Sequence, residues 1–276
     1  MGNKKRHHYV PKCYLKNFSE DGIQIFTHII NSNREPKLIS INDVCVEKDF
    51  YTLPKEYQEL GLKKDLIETE FFCERIEPRF SKSISLIKGL RDVAYKHDGP
   101  IGFDLGEKER VSILYMLLIQ YFRGPRHKGI HSDGTTMNAL QHAYSTYANE
   151  VLMTSLVNKL NSNYWIIRVN PFNNFMTSDE PVVVIDNQKM QRRGENFTKA
   201  KIGNKHTAVF FPLTYDIMLE IYDKEEFPEA QRVNNTVQTT NEEYQRRLNG
   251  YQYINATKFI FSYTQDFGLF IREKDY

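Results

Sequence analysis

Apolar residues recur at two different spacings along the chain, and the change falls near Tyr164. Before it, Ile76, Phe80, Ile84 and Ile87 follow one another at three or four residues, the repeat of one helix face. That spacing predicts a helix over 66–90. Pro78 should kink or divide it, because proline lacks the N–H that a helix interior uses. Val111, Leu114, Leu118 and Tyr121 mark a second helix over 107–122. Ile113, Leu117 and Phe122 make that helix apolar on nearly every side, which predicts a buried central helix closed by Gly124-Pro125. A third helix is predicted over 136–160 and a fourth over 233–253.

Short runs rich in β-branched and aromatic residues read as strands. Two lie early, at 23–30 and 49–53, and four lie late, at 164–169, 181–185, 207–211 and 217–222. A closing strand pair is predicted at 259–263 and 267–272. Helices cluster early and strands late, which fits an α+β fold rather than a βαβ repeat. The expected architecture is one domain over 1–276 with a single core. Its helical part covers about 60–162 and packs on a mostly antiparallel sheet formed from about 163–276.

Composition narrows the function classes. The 37 basic and 35 acidic residues nearly cancel, so any nucleic-acid contact would need a local patch. Cys13, Cys45 and Cys73 are odd in number and far apart, which predicts reduced thiols in a cytoplasm rather than a disulfide or thiolate-zinc framework. The longest apolar stretch, 111–122, is too short to span a bilayer, so no membrane partner is expected. The Walker lysine loop, Gly-x-Gly-x-x-Gly, Gly-x-Ser-x-Gly and His-Glu-x-x-His are all absent.

Five constellations carry candidate chemistry. His7 and His8 sit in a segment pinned by Tyr9, Val10, Tyr14, Leu15 and Phe18, where one imidazole could act as a base or ligand. They could equally continue the basic run Lys4-Lys5-Arg6. Glu70 and Glu77, seven residues apart, would share a helix face two turns from each other. Such a pair can hold Mg²⁺ or divide acid and base roles, or form an exposed stripe paired to Arg75 and Arg79. Gln120 and Arg123 share a face of the most apolar helix. A buried Arg there must be paired, either structurally or with a phosphate. Asp179, in Thr177-Ser178-Asp179-Glu180-Pro181, could be a metal ligand, a base or the orienter of a histidine, or simply turn chemistry. Lys199, Lys201 and Lys205, in the polar segment 187–206, could track a nucleic-acid backbone or be a solvated loop.

Several motifs fall in a fixed order: HHYVPKCYLKNF at the start, QYFRGPR at 120–126, FMTSDEPVV around Asp179 and FFPLTY at 210–215. In this order the chain resembles domain of unknown function 4238, a family of mostly bacterial and phage-associated proteins, over roughly residues 5–265. Two positions depart: Gly124 where the family more often has Thr, and Tyr215 where it often has Pro. The resemblance implies a fold and a set of suspect residues. The separated polar motifs, with hydrolytic chemistry and no cofactor motif, point to a phosphodiester hydrolase on nucleic acid or a nucleotide, in phage defence or as a toxin effector. His7 or His8, Gln120, Arg123 and Asp179 would be catalytic, and Glu70, Glu77 and Asp179 would be ligands for Mg²⁺. A non-enzymatic binding or sensor module for nucleic acid or a phage protein is the alternative. In either case the His, Gln, Arg and Asp groups are expected to converge, since burying any one alone is costly.

Overall fold

The computed structural model describes residues 6–96, 99–127, 137–172, 174–195 and 197–267. In chain order, the first part holds β1 (Arg6–His8), α1 (Lys12–Leu15), β2 (Gln24–Ile29), β3 (Lys37–Ser40), β4 (Val46–Lys48) and α2 (Lys55–Glu59). A wide-turned helix over Ile67–Ile76 runs into α3 (Glu77–Ala94), followed by β5 (Ile101–Gly102), α4 (Glu107–Arg123), α5 (Ala139–Ser145) and α6 (Glu150–Asn161). The rest holds β6 (Tyr164–Val169), β7 (Thr177–Ser178), β8 (Val183–Asp186), α7 (Asn187–Arg193), β9 (Thr207–Thr214), β10 (Ile217–Tyr222), β11 (Thr236–Thr239), α8 (Glu242–Asn255) and β12 (Phe259–Ser262).

This is an α+β fold. A six-stranded sheet runs β5-β11-β6-β10-β9-β8, a four-stranded sheet runs β3-β2-β12-β7, and β1 pairs with β4. Pairing is mostly antiparallel, and β11 lies parallel to β6. The large sheet is buried on both faces. Val209, Phe211 and Leu213 of β9 join a core with α3, α4 and α6, while Ala208 and Phe210 join a smaller cluster with Leu248 of α8. Two-sided burial explains why these strands read as unbroken apolar runs. The third cluster, Met176, Ile260 and Phe267, lies with Phe26 of the smaller sheet.

Several boundaries differ from the sequence pattern, each for a local reason. The helix expected over 66–90 changes type at Glu77, whose N–H reaches back five residues to Phe72. Pro78 sits at this junction, where its missing N–H was expected to kink or divide the helix. The helix expected over 136–160 is two helices, because Asn149 caps the N–H of Leu152 and starts a new one. Residue 136 lies outside the described residues. Instead of a strand, 49–53 makes a turn in which Asp49 has φ 55°. The helix expected from 233 begins at the Asn241 cap, and the β-branched Thr236–Thr239 joins the sheet instead. Pro181 precedes its strand, which starts at Val183. Part of the expected loop 187–206 is α7, capped by Asp186 and ended by Gly194 at φ 63°. The expected strand 267–272 lies, beyond Phe267, outside the described residues, and Phe259–Ser262 pairs with β2 and β7. Among the described residues no helix is long and apolar enough to cross a membrane.

Candidate functional site

Two polar groups lie on either side of the Gly124-Pro125 break after α4. The first centres on Arg123, which has no exposed surface. Its Nη2 donates to the His8 carbonyl at 2.6 Å and to Glu68 at 3.3 Å, and Nη1 donates to Glu77 at 3.4 Å. Nε donates to the Tyr51 hydroxyl at 3.3 Å, and that hydroxyl donates back to the Arg123 carbonyl. The guanidinium also lies 3.8 Å over the Phe72 ring. Burial raises the Glu68 carboxyl above its ordinary range, against the pull of Arg123. With acid partners for its charge and a hydrogen bond from each of its three nitrogens, this is the arrangement that makes a buried Arg tolerable.

The segment 6–10 is bound to the same network through its backbone. Gln120 Nε2 donates to the Tyr9 carbonyl at 3.4 Å, one turn before Arg123. Gln120 Oε1 has no hydrogen-bond partner among the described residues. His7 and His8 are both buried, although adjacent strand residues face opposite ways. His7 Nδ1 accepts the Tyr51 N–H at 2.9 Å, and its ring stacks on Tyr51. His8 Nε2 lies 3.3 Å from the Ile41 carbonyl. Burial first, then the Lys12 charge, hold His8 down to about 4, so it is neutral at pH 7.

The second group is built on Asp179 and Glu180, both buried, at the end of β7. Asp179 accepts backbone N–H groups with both oxygens, from Thr257 at 2.8 Å and Lys258 at 2.7 Å. Glu180 Oε1 accepts the Arg126 N–H at 3.1 Å. Arg126 is exposed, and its guanidinium is anchored to Asn255 Oδ1 at 3.0 Å, the Asn255 carbonyl at 2.6 Å and Thr257 at 3.1 Å. Lys199, also exposed, is placed by a short edge pairing. It bridges to Ile185, and the Ala200 N–H donates to the Val184 carbonyl of β8. The Cβ that a residue other than glycine would carry at Gly124 would lie 2.6 Å from Glu180 Oε2. The glycine that departs from the family pattern therefore leaves room for this carboxylate, which a Thr would displace.

The electrostatics separate these side chains from ordinary surface groups. Burial pushes Glu180 up to about 7, Asp179 pushes the same way, and the Arg126 and Lys199 charges oppose it. Burial and Arg126 hold Lys199 down to about 8, against the two carboxylates. Burial, then Arg126, hold His127 down to about 4. Tyr9 joins the two groups. Its carbonyl meets Gln120, while its side chain lies by Cys45 and feels Asp179 and Glu180. Buried acids and cations with strongly perturbed ionisation beside solvent are the usual material of functional sites.

The expected His–Gln–Arg–Asp convergence is thus split. His8, Gln120 and Arg123 meet through backbone carbonyls, while Asp179 belongs with Arg126, Glu180 and Lys199. Glu70 and Glu77 have separate partners, Lys63 at 2.7 Å and Arg123. The wide turns of 67–76 remove the two-turn register an α-helix would have given them. Among the described residues no group of three or more His, Cys, Asp or Glu is arranged to hold a metal ion. Lys201 is exposed and Lys205 pairs with Glu225 at 3.5 Å, so of the three loop lysines only Lys199 reaches the cluster. Glu180, Arg126, His127 and Asn255 were not singled out from the sequence. Two of them had a signal, since Glu180 follows Asp179 and Arg126 closes QYFRGPR.

The fold and the paired polar groups define an α+β protein with a buried arginine held by two part-exposed carboxylates, beside a second cluster in which two buried carboxylates lie under exposed cations. The chain belongs to the family described as "Protein of unknown function (DUF4238)", which it matches over residues 6–266. No curated protein and no solved structure matches it.

Proposed function

We propose that this protein is a phosphodiester hydrolase acting on nucleic acid or a nucleotide, with its chemistry at the Glu180 cluster. The observation that carries the reading is a buried carboxyl poised near neutral pH beneath two exposed cations. Arg126 and Lys199 would hold the phosphate oxygens. Glu180, partly protonated at pH 7, would donate its proton to the leaving oxygen as the P–O bond breaks. Water would form the new P–O bond and release its proton to solvent, which also restores the proton of Glu180. Asp179 positions the site by tying the 257–258 turn that carries the Arg126 anchor.

A hydrolase of this kind would serve as a phage-defence or toxin effector in the bacterial setting that the resemblance implies. A cytoplasmic location agrees with three free cysteines. A second reading, a binding or sensor module for nucleic acid, draws on the ties of Arg126 and Asp179 into the 255–258 turn, a role in holding structure. The test is cleavage of a fluorescent single-stranded oligonucleotide, with Mg²⁺ and with a chelator, by wild type and Glu180→Gln. Cleavage that declines as pH rises through about 7, and that Glu180→Gln removes without unfolding, is expected. Salt-sensitive binding without cleavage would replace the hydrolase by the binding module.

A further inference from the structure

A cleft of about 510 Å³ lies between α3 and α4, lined by none of the residues of the two polar groups. The residues that α4 contributes fall at 108, 111, 112, 115, 116 and 119, a single stripe at helical spacing. The eleven helical rises from 108 to 119 give that stripe a length of about 16 Å. Its walls are apolar: Val111, Met116 and Ile119 on α4 face Ile76 and Phe80 across the gap. The polar Ser112 is already occupied, since its hydroxyl lies 3.0 Å from that of Ser83.

Charge is confined to the rim. Arg79 and Lys108 line the cleft, both are exposed, and neither makes an ion pair among the described residues. Glu107 and Glu109, in the same first turn of α4, do not line it. Lys108 sits at the end of α4 where the helix dipole also favours an anion. The far wall is formed where the wide turns ending at Ile76 tighten into α3, and such insertions are frequent at functional sites. The volume is that of a small-ligand pocket, and the two charges are of one sign.

We infer that the α3–α4 cleft binds one free amphiphile, a single hydrocarbon chain ending in an anionic head. The chain lies along Val111, Tyr115, Met116 and Ile119, and the head meets Arg79 and Lys108. A long apolar slot with cations only at the rim matches that chemistry. Polar ligands would leave the walls unused, and an uncharged chain would leave the cations unused.

The test titrates the full chain with dansyl-labelled undecanoate, below its aggregation concentration. Saturable binding is expected, displaced by dodecanoate and at least tenfold less effectively by dodecanol. Arg79→Gln and Lys108→Gln should each weaken it about tenfold at an unchanged Tm, since both side chains are exposed. Val111→Trp, which fills the slot, should abolish it. The inference is overturned by an absence of saturable binding, by equal displacement with dodecanol, or by charge variants that bind as wild type does. It is also overturned if sedimentation shows dimerisation that Val111→Trp removes, since the cleft would then be occupied by a second copy. None of these outcomes depends on nucleic-acid cleavage, so the hydrolase reading stands or falls separately.

Discussion

Arg123 and Arg126 are three residues apart, each beside a pair of carboxylates, yet their surroundings differ completely. Arg123 ends a buried helix, with its guanidinium shared among Glu68, Glu77, Tyr51 and the His8 carbonyl and no solvent access. Arg126 lies past the Gly124-Pro125 break, exposed, above two carboxylates of which one is pushed up to about 7. In the first a buried cation is fixed by part-exposed acids, whereas in the second exposed cations lie over buried acids, one of which has its proton equilibrium displaced towards neutrality. Residue type alone does not distinguish the two; the path of the chain after α4 does.

The largest expected effect is at the buried arginine. Arg123→Met leaves Glu68 and Glu77 without their cation and the His8 carbonyl without its donor. A loss of about 3–5 kcal/mol in chemical denaturation is expected, because a buried pair broken on one side strands the other charge. If Arg123→Met keeps wild-type stability, the contrast between the two arginines is broken.

Asp179→Asn should be smaller, about 1–3 kcal/mol. Both Asp179 oxygens accept backbone N–H groups, and an amide offers only one acceptor, so one part-buried N–H loses its partner. Urea titration measures this. An unchanged midpoint would show that the 257–258 turn does not depend on the carboxylate.

Lys199→Gln should leave stability within about 0.5 kcal/mol, as is usual for an exposed side chain. It should nevertheless reduce by about one the slope of log affinity for oligonucleotide against log salt. Lys201→Gln with Lys205→Gln should change that slope less, because Lys205 is already paired and neither reaches the carboxylates. Fluorescence anisotropy over a salt series compares them. Equal effects would return the basic loop to a general electrostatic role.

The sequence reading caught what depends on local spacing. The apolar repeat located α4 nearly to the residue, and the long late strands were visible because both faces are buried. It missed what a single cap or turn decides: Asn149 dividing a helix, Asn241 delaying another, and the change to wide turns before Glu77. The same limit governed the sites. The expectation that isolated polar residues in apolar settings must pair led to Arg123, His8 and Gln120. Nothing in the sequence pattern separated Asp179 from that group, because the assignment depends on Asn255 and Thr257, some 75 residues later. Glu180 carried no signal beyond its place next to Asp179, because its setting depends on Gly124 and Arg126 folding against it.

The central claim is that Glu180 is held as a buried acid poised near neutrality. Its pKa is raised from 4.5 to about 7, so its cost in the fold is absent below about 4.5 and grows as pH rises through 7. His127 and His8, both held down to about 4, act in the opposite sense between about 4 and 6.5, so the wild-type curve alone is a composite. The direct measurement is the stability difference between Glu180→Gln and wild type, by chemical denaturation at pH 4.5 and at pH 8. The amide never ionises, so the variant should gain about 3 kcal/mol relative to wild type over that interval. A difference that stays constant with pH would contradict the account.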